Sequence, residues 1–207
     1  MSILKSVLLI ICYPVDCMNI IKREKKFNIL VPTLFYMLAV LANYFYNYTV
    51  HFPLATKSFD SINFVLEMAI FVVPLFSWVV CSYAMTALID GESSFADQFT
   101  VSAYCTVPYT IFTIISIIAS QFMSTEEAGF FGVIRYAGLL WMIILLVVSL
   151  IVLNDYSISK ALGIVFLSLL AIVVLWCVLI LLYALTVQLF SLVFNLFKEI
   201  RYKTGGF

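Results

Sequence analysis

The sequence predicts an all-α membrane protein: a bundle of five transmembrane helices, preceded by an N-terminal interfacial helix and ending in a long fifth helix that extends beyond the bilayer. Three observations predict it. Hydrophobic residues make up 65% of the 207-residue chain, charged residues 11%, and mean hydropathy is +1.15, whereas a soluble domain is about half apolar and about a quarter charged. A chain this apolar lacks the polar surface that water requires, so lipid is its solvent. Five runs reach the length of about 20 apolar residues that crosses a hydrocarbon core. The connectors between them are short, so residues 1–207 read as one membrane domain.

Residues 1–26 form the interfacial segment. The apolar run Val7 to Tyr13 is about as short as a secretory signal allows, and no small-x-small cleavage site follows it. The segment is therefore expected to be retained, with Pro14 breaking or bending it. The spans follow at about 27–48, 62–89, 99–122, 130–153 and 161–185. Asp90-Gly91 reads as the stop of the second span, with Gly91 free to turn left-handed. Ser94 with Asp97, and Ser124 with Glu127, fit capping patterns for the third and fourth helices. The apolar run that begins near Ala161 continues to Phe197. Over residues 186–207 it becomes an amphipathic tail, in which Gln188, Ser191, Asn195 and Lys198 form one polar stripe. Such a stripe suits a helix lying in the membrane interface or against a partner.

Orientation follows the cations. Lys5, Lys22, Arg23, Lys25 and Lys26 precede the first span and place the N-terminus in the cytoplasm. Five crossings then put the C-terminus outside, against the weaker pull of Lys198, Arg201 and Lys203. In this arrangement the tyrosines of NYFYNY (43–48) sit at the outer interface and His51 lies in the outer loop. DGESSFAD (90–97) and NDYSISK (154–160) become cytoplasmic connectors.

Eleven cations balance eleven carboxylates, so net charge gives no reason to expect nucleic acid as a partner. The five cysteines form no CxxC pair and read as small buried hydrophobes. One histidine excludes multi-histidine metal sites, and the signatures HExxH, GxSxG and the phosphate-binding glycine loop are missing. No catalytic, cofactor-binding or metal-binding residues are therefore expected, and the chain is not read as an enzyme. Three groups of residues stand out. Glu67 lies about 33 Å above Ile89, and Arg135 about 27 Å above Leu153, at about 1.5 Å per residue. Both are placed near the outer hydrocarbon boundary, where they either pair or snorkel separately to water. Pro74 and Pro108, with Tyr104 one turn before Pro108, either shape packing or open a substrate site. Asp90, Gly91 and Glu92 form an acidic connector with no cation in its own sequence, which either serves only to cap the neighbouring helices or offers a docking surface.

Four stretches carry a family likeness: YPVDCMNIIKREKK (13–26), LIDGESSFADQFTVSAYCTVPY (88–109), NDYSISKA (154–161) and KEIRY (198–202). Their order and spacing resemble the Yip1 family, especially its compact bacterial members. The resemblance implies a five-helix domain with a cytoplasmic N-terminus. Eukaryotic relatives act in vesicle traffic, engaging Rab GTPases and one another, but the Asp-Leu-Tyr-Gly-Pro motif of their long cytoplasmic region is missing here and Rab binding does not transfer. Some bacterial relatives look like accessory proteins of carbohydrate ABC-transport systems. The sequence reading is thus a scaffold or accessory subunit in the cell membrane. Its expected partners are lipid and other integral membrane proteins, among which ABC-transporter subunits are one candidate, or further copies of itself. The alternative is a small transporter or channel component.

Overall fold

Local signals start and stop each helix in the computed structural model, which describes residues 10–11, 13–24, 29–50, 63–123 and 125–203. Helix α1 runs Pro14–Glu24. Proline suits the first turn because its missing N–H would have no helical acceptor there. Asp16 in that turn, and Lys22 and Arg23 in the last, match the helix dipole. Helix α2 spans Leu30–Thr49 and α3 Phe64–Leu88, the latter capped by Asn63, whose side chain accepts from the Val65 amide at 3.0 Å. Helix α4 spans Phe95–Ser120. Its Ser94–Asp97 capping box is complete, which starts the helix four residues before the expected 99. A short 3-10 turn, Thr125–Glu127, leads into α5, Ala128–Asn154. The second expected cap falls on Ser124, outside the described residues, as do His51 and Lys25–Lys26. Helix α6 is Ile158–Lys203, 46 residues long.

Pro74 and Pro108 lie inside α3 and α4, and both helices continue through them. Neither proline interrupts its helix. In lipid, neighbouring hydroxyls and helices re-satisfy the carbonyl that a proline leaves free.

Helices α3, α4, α5 (from Gly129) and α6 (to Glu199) are long and apolar enough to cross a membrane. Helix α2 is not among them. Its two asparagines and four tyrosines dilute an otherwise apolar 20-residue helix. The asparagines do not face lipid: Asn43, Tyr46 and Asn47 are buried, while Phe45 and Tyr48 are exposed. The NYFYNY stretch is thus half interior, not a uniform interfacial belt.

The chain divides into two compact units, 1–168 and 169–207. In the first, α4 is the hub and packs on α1, α2, α3 and α5. Of its most apolar window 61% is buried, against 28% for α3 and 39% for α5. Helices α2 and α4 run side by side in the same direction. Tyr36 meets Ser102 and Phe99 at one end, Asn43 meets Tyr109 midway, and the Gln121 amide donates to the Thr49 carbonyl at the other. Helices α3 and α5 run the opposite way, with Ser82 against Gln98 and Asn154 against Ser93. The core joins Cys17 and Met18 of α1 to Phe35, Leu75, Val101, Tyr104, Cys105, Leu145 and Leu153. The start of α6 packs separately, with Ala161 and Ile164 against Leu150 and Tyr156. The second unit is the remainder of α6, whose described side chains are almost all exposed in the isolated chain.

Helices α4 and α5 pack closely at Gly138, where an added Cβ would stand 2.5 Å from the Phe112 Cβ. That atom is fixed to the backbone and cannot swing away. Gly138→Ala is expected to cost about 1–3 kcal/mol by overpacking, seen as a lower melting temperature in detergent. Gly163→Ala, with open space around it, should leave the melting temperature unchanged or raise it slightly.

Candidate functional site

The two connectors expected on one side of the membrane converge at one end of the bundle, and α1 lies against them. Asp90 follows α3 with φ 52°, and Asp155 follows α5 with φ 51°. Asp90, not Gly91, is the left-handed residue; aspartate tolerates this region through local bonding of its short polar side chain. The glycine is required for a different reason. A Cβ on Gly91 would lie 2.8 Å from the Thr86 carbonyl, from Asn154 Oδ1 and from the Tyr156 hydroxyl. This close approach lets the two connectors bond directly. Asn154 Oδ1 accepts from the Ser93 amide at 3.1 Å, and the Tyr156 hydroxyl donates to the Ile89 carbonyl at 3.2 Å. Burial, and then the charge of Asp90, push the Tyr156 phenol above its ordinary pKa. It stays a neutral donor at physiological pH.

The acidic connector does have a cation, supplied from the other end of the sequence. Lys22 of α1 pairs with Asp155, lies 3.7 Å from Glu92, and reaches the Val152 carbonyl at 3.4 Å. Glu92 and Asp155 are about 70% exposed, so their pairing with Lys22 contributes less than about 1 kcal/mol; its importance is geometric. A groove of about 540 Å³ runs beside this cation, lined by Lys22, Glu92, Ser93, Ser94, Asp97 and Leu153. Lys160 sits 4.4 Å from the centre of the Tyr156 ring. Beneath the groove, Gln98 clasps α3 to α4. Its amide nitrogen donates to Thr86 Oγ1 at 2.8 Å and Ser93 Oγ at 2.9 Å, and its oxygen accepts from Ser82 at 2.9 Å. The sequence reading passed over Gln98 and Asn154. Each amide sits beside a carboxylate, Asp97 or Asp155, in a polar stretch, so no local pattern marked either one.

Glu67 and Arg135 come together at the opposite end, with Asn43 standing between them. Asn43 Nδ2 is 3.5 Å from Glu67, and its Oδ1 accepts from Arg135 and from the Tyr109 hydroxyl, each at 3.1 Å. Asn47 donates to the same Glu67 oxygen at 2.7 Å, and the guanidinium lies 3.9 Å from the centre of the Tyr46 ring. Glu67 is 2% exposed, so it does not snorkel to water. The cluster ties α2, α3, α4 and α5 together through side chains that lipid could not satisfy.

Between the two ends the described side chains pack against one another. Tyr104 packs edge-on against Phe35, with ring centres 4.9 Å apart. The Ser102 hydroxyl is 2.6 Å from that of Tyr36, Thr106 donates to the Ala103 carbonyl, and Pro108 is buried. The Tyr104 and Pro108 positions therefore belong to the packed core. An apolar crevice of about 310 Å³ between α2 and α3 is lined partly by Met37, Met68 and Phe76, which are exposed on the outer surface. Burial pushes the Cys17 thiol up to about 11, which leaves it protonated and unreactive. Among the described residues no three His, Cys, Asp or Glu side chains gather to hold a metal ion.

The profile of the Yip1 domain matches residues 8–181, so the chain belongs to the Yip1 family of membrane proteins. No curated protein and no solved structure matches it. Three of the stretches that carried the likeness, 13–26, 88–109 and 154–161, supply Lys22, the Asp90–Glu92 turn and the Asn154–Tyr156 turn, which meet at this one end of the bundle.

Asn43→Ala would strand a buried carboxylate and a guanidinium together and is expected to destabilise the bundle by about 2–4 kcal/mol, measured by thermal unfolding in detergent. Gly91→Ala should separate the connectors and increase their proteolysis in detergent, without an equal fall in melting temperature.

Proposed function

We propose that this protein is a non-enzymatic scaffold or accessory subunit of the cell membrane, which assembles with other integral membrane proteins through its connector face. The observation that carries this reading is the division of labour among its polar groups. Among the described residues, those inside the bundle bond one another or backbone carbonyls, Ser168 excepted, whereas Asp90, Glu92 and Asp155 gather on one exposed face held in shape by Lys22. A carbohydrate ABC-transport system is one candidate host, on the strength of the bacterial resemblance alone.

The same reading takes five crossings with the N-terminus and both connectors in the cytoplasm. Its support is the parallel course of α2 and α4, since a helix running beside a spanning one over its whole length spans too. The basic residues Lys22 and Arg23 lie at the connector end, where the positive-inside rule puts cytoplasm. An odd number of crossings then leaves the C-terminus outside.

The alternative, a small transporter or channel component, draws on Glu67, because a buried carboxylate in a membrane helix is a functional candidate by default. Proteoliposomes carrying the wild type and Glu67→Gln would separate the two. A Glu67-dependent flux favours the alternative, and no flux from either favours the scaffold.

The docking face is tested by Asp90→Asn with Glu92→Gln, since asparagine keeps the left-handed turn. Crosslinking in native membranes should lose one or more specific partners from the double variant while its melting temperature stays within a few degrees of wild type. An unchanged partner set removes the docking role.

A further inference from the structure

The crevice between α2 and α3 serves neither the core nor the connector face. Its shape follows from how the two helices are tied. At one end Asn47 donates to Glu67 at 2.7 Å, and the rings of Tyr44 and Phe64 meet edge-on with centres 5.2 Å apart. Toward the connector end each helix turns to α4 instead. The Tyr36 hydroxyl of α2 lies 2.6 Å from that of Ser102, and Gln98 holds Ser82 and Thr86 of α3. A gap of about 310 Å³ is left between the two helices. Phe64, Met68, Val72 and Phe76 line one wall at steps of four, a stripe about 18 Å long at about 1.5 Å per residue. Met37 and Leu41 of α2 line the other wall.

Nothing in these walls calls for a polar ligand. Of the two lining hydroxyls, that of Thr33 donates to the Ile29 carbonyl at 2.7 Å and that of Tyr36 is turned to Ser102. The other lining side chains are aliphatic, aromatic or methionine, and methionine adapts its shape to an irregular apolar neighbour. Size excludes a partner helix. A helix about 10–12 Å across and about 18 Å long occupies roughly 1,400 Å³ or more, several times the space between these walls. Left empty, the crevice would forfeit dispersion contacts along both sides. Helix α3 is long and apolar enough to cross a membrane, and Met37, Met68 and Phe76 are exposed on the outer surface of the bundle. The crevice therefore opens where lipid hydrocarbon is the surrounding medium. An extended hydrocarbon chain matches its length, its narrowness and its lack of free donors and acceptors. We infer that the crevice holds one acyl chain of a membrane phospholipid as a resident lipid. This role stands whether or not the connector face binds a partner.

A resident lipid survives extraction, whereas one that merely surrounds the protein is replaced by detergent. Full-length protein taken from native membranes into a mild detergent should carry one phospholipid in native mass spectrometry, as an adduct on the 23.5 kDa chain. Val72→Trp fills the crevice from a half-buried position on its wall and should lose the adduct. Val73→Trp, the same change one residue on and outside the lining, should keep it. A second measurement uses vesicles of phosphatidylethanolamine and phosphatidylglycerol with a tracer phosphatidylcholine that carries a diazirine midway along one acyl chain. On irradiation it should label Met37, Met68 and Phe76 more heavily than Leu140 and Ile143, which are comparably exposed on α5. This measurement needs no variant, so it decides the matter even where Val72→Trp fails to fold. Wild type without an adduct, an adduct retained equally by Val72→Trp and Val73→Trp, or equal labelling of the crevice and of α5 overturns the inference. So does p-benzoylphenylalanine placed at Met68 if, in native membranes, it crosslinks to another protein or to a second copy of the chain instead of to lipid.

Discussion

In hydrocarbon, a polar side chain that cannot reach water must find its partner inside the protein. The arrangement of the first unit follows from where this chain puts such groups. They are concentrated on α4, which carries buried Gln98, Ser102, Thr106, Tyr109, Thr113, Ser116 and Ser120. A helix with that load cannot face lipid on any broad side, so it becomes the centre and the more uniformly apolar α3 and α5 take the periphery. The short hydroxyls are satisfied within α4 itself, as Thr113 is by the Tyr109 carbonyl and Ser116 by that of Phe112. The longer groups reach outward. Gln98 holds α3 at one end, and Tyr109 holds α2 through Asn43 at the other.

The same constraint explains why α2 looks less like a span than its neighbours. Hydropathy averaged along a helix treats every side chain as if it met lipid. Asn43 and Asn47 instead meet Glu67 within the bundle, so their polarity costs the membrane nothing. Pairing an amide with a buried carboxylate also changes what the carboxylate means. Surrounded by donors and linked through Asn43 to a guanidinium, Glu67 serves as a structural tie among four helices.

The connector end has a different logic. Its carboxylates are exposed and its ion pairs weak, yet its backbone is tightly specified by two left-handed aspartates, a glycine with no room for a side chain, and Asn154 bonding across to Ser93. These features hold a charged surface at a fixed shape, which is what a recognition face needs.

By itself the sequence determined the solvent, the approximate helix positions, the Ser94 cap and the family likeness. All of these depend on composition or on residues within a turn or two of one another, where apolar length, capping geometry and charge act locally. It also singled out Glu67, Arg135 and the Asp90–Glu92 turn, because charge in an apolar chain is conspicuous. What it could not supply was who meets whom. Lys22 finds Asp155 across 133 positions, Asn43 joins Glu67 to an arginine 92 positions away, and Tyr36 finds Ser102 across 66. The left-handed residue proved to be Asp90, and Gly91 is needed because Thr86, Asn154 and Tyr156 leave no room for a side chain there. Only the tertiary structure decided these pairings. Each depends on which faces of separate helices turn toward one another, and that is set by the packing of the whole bundle.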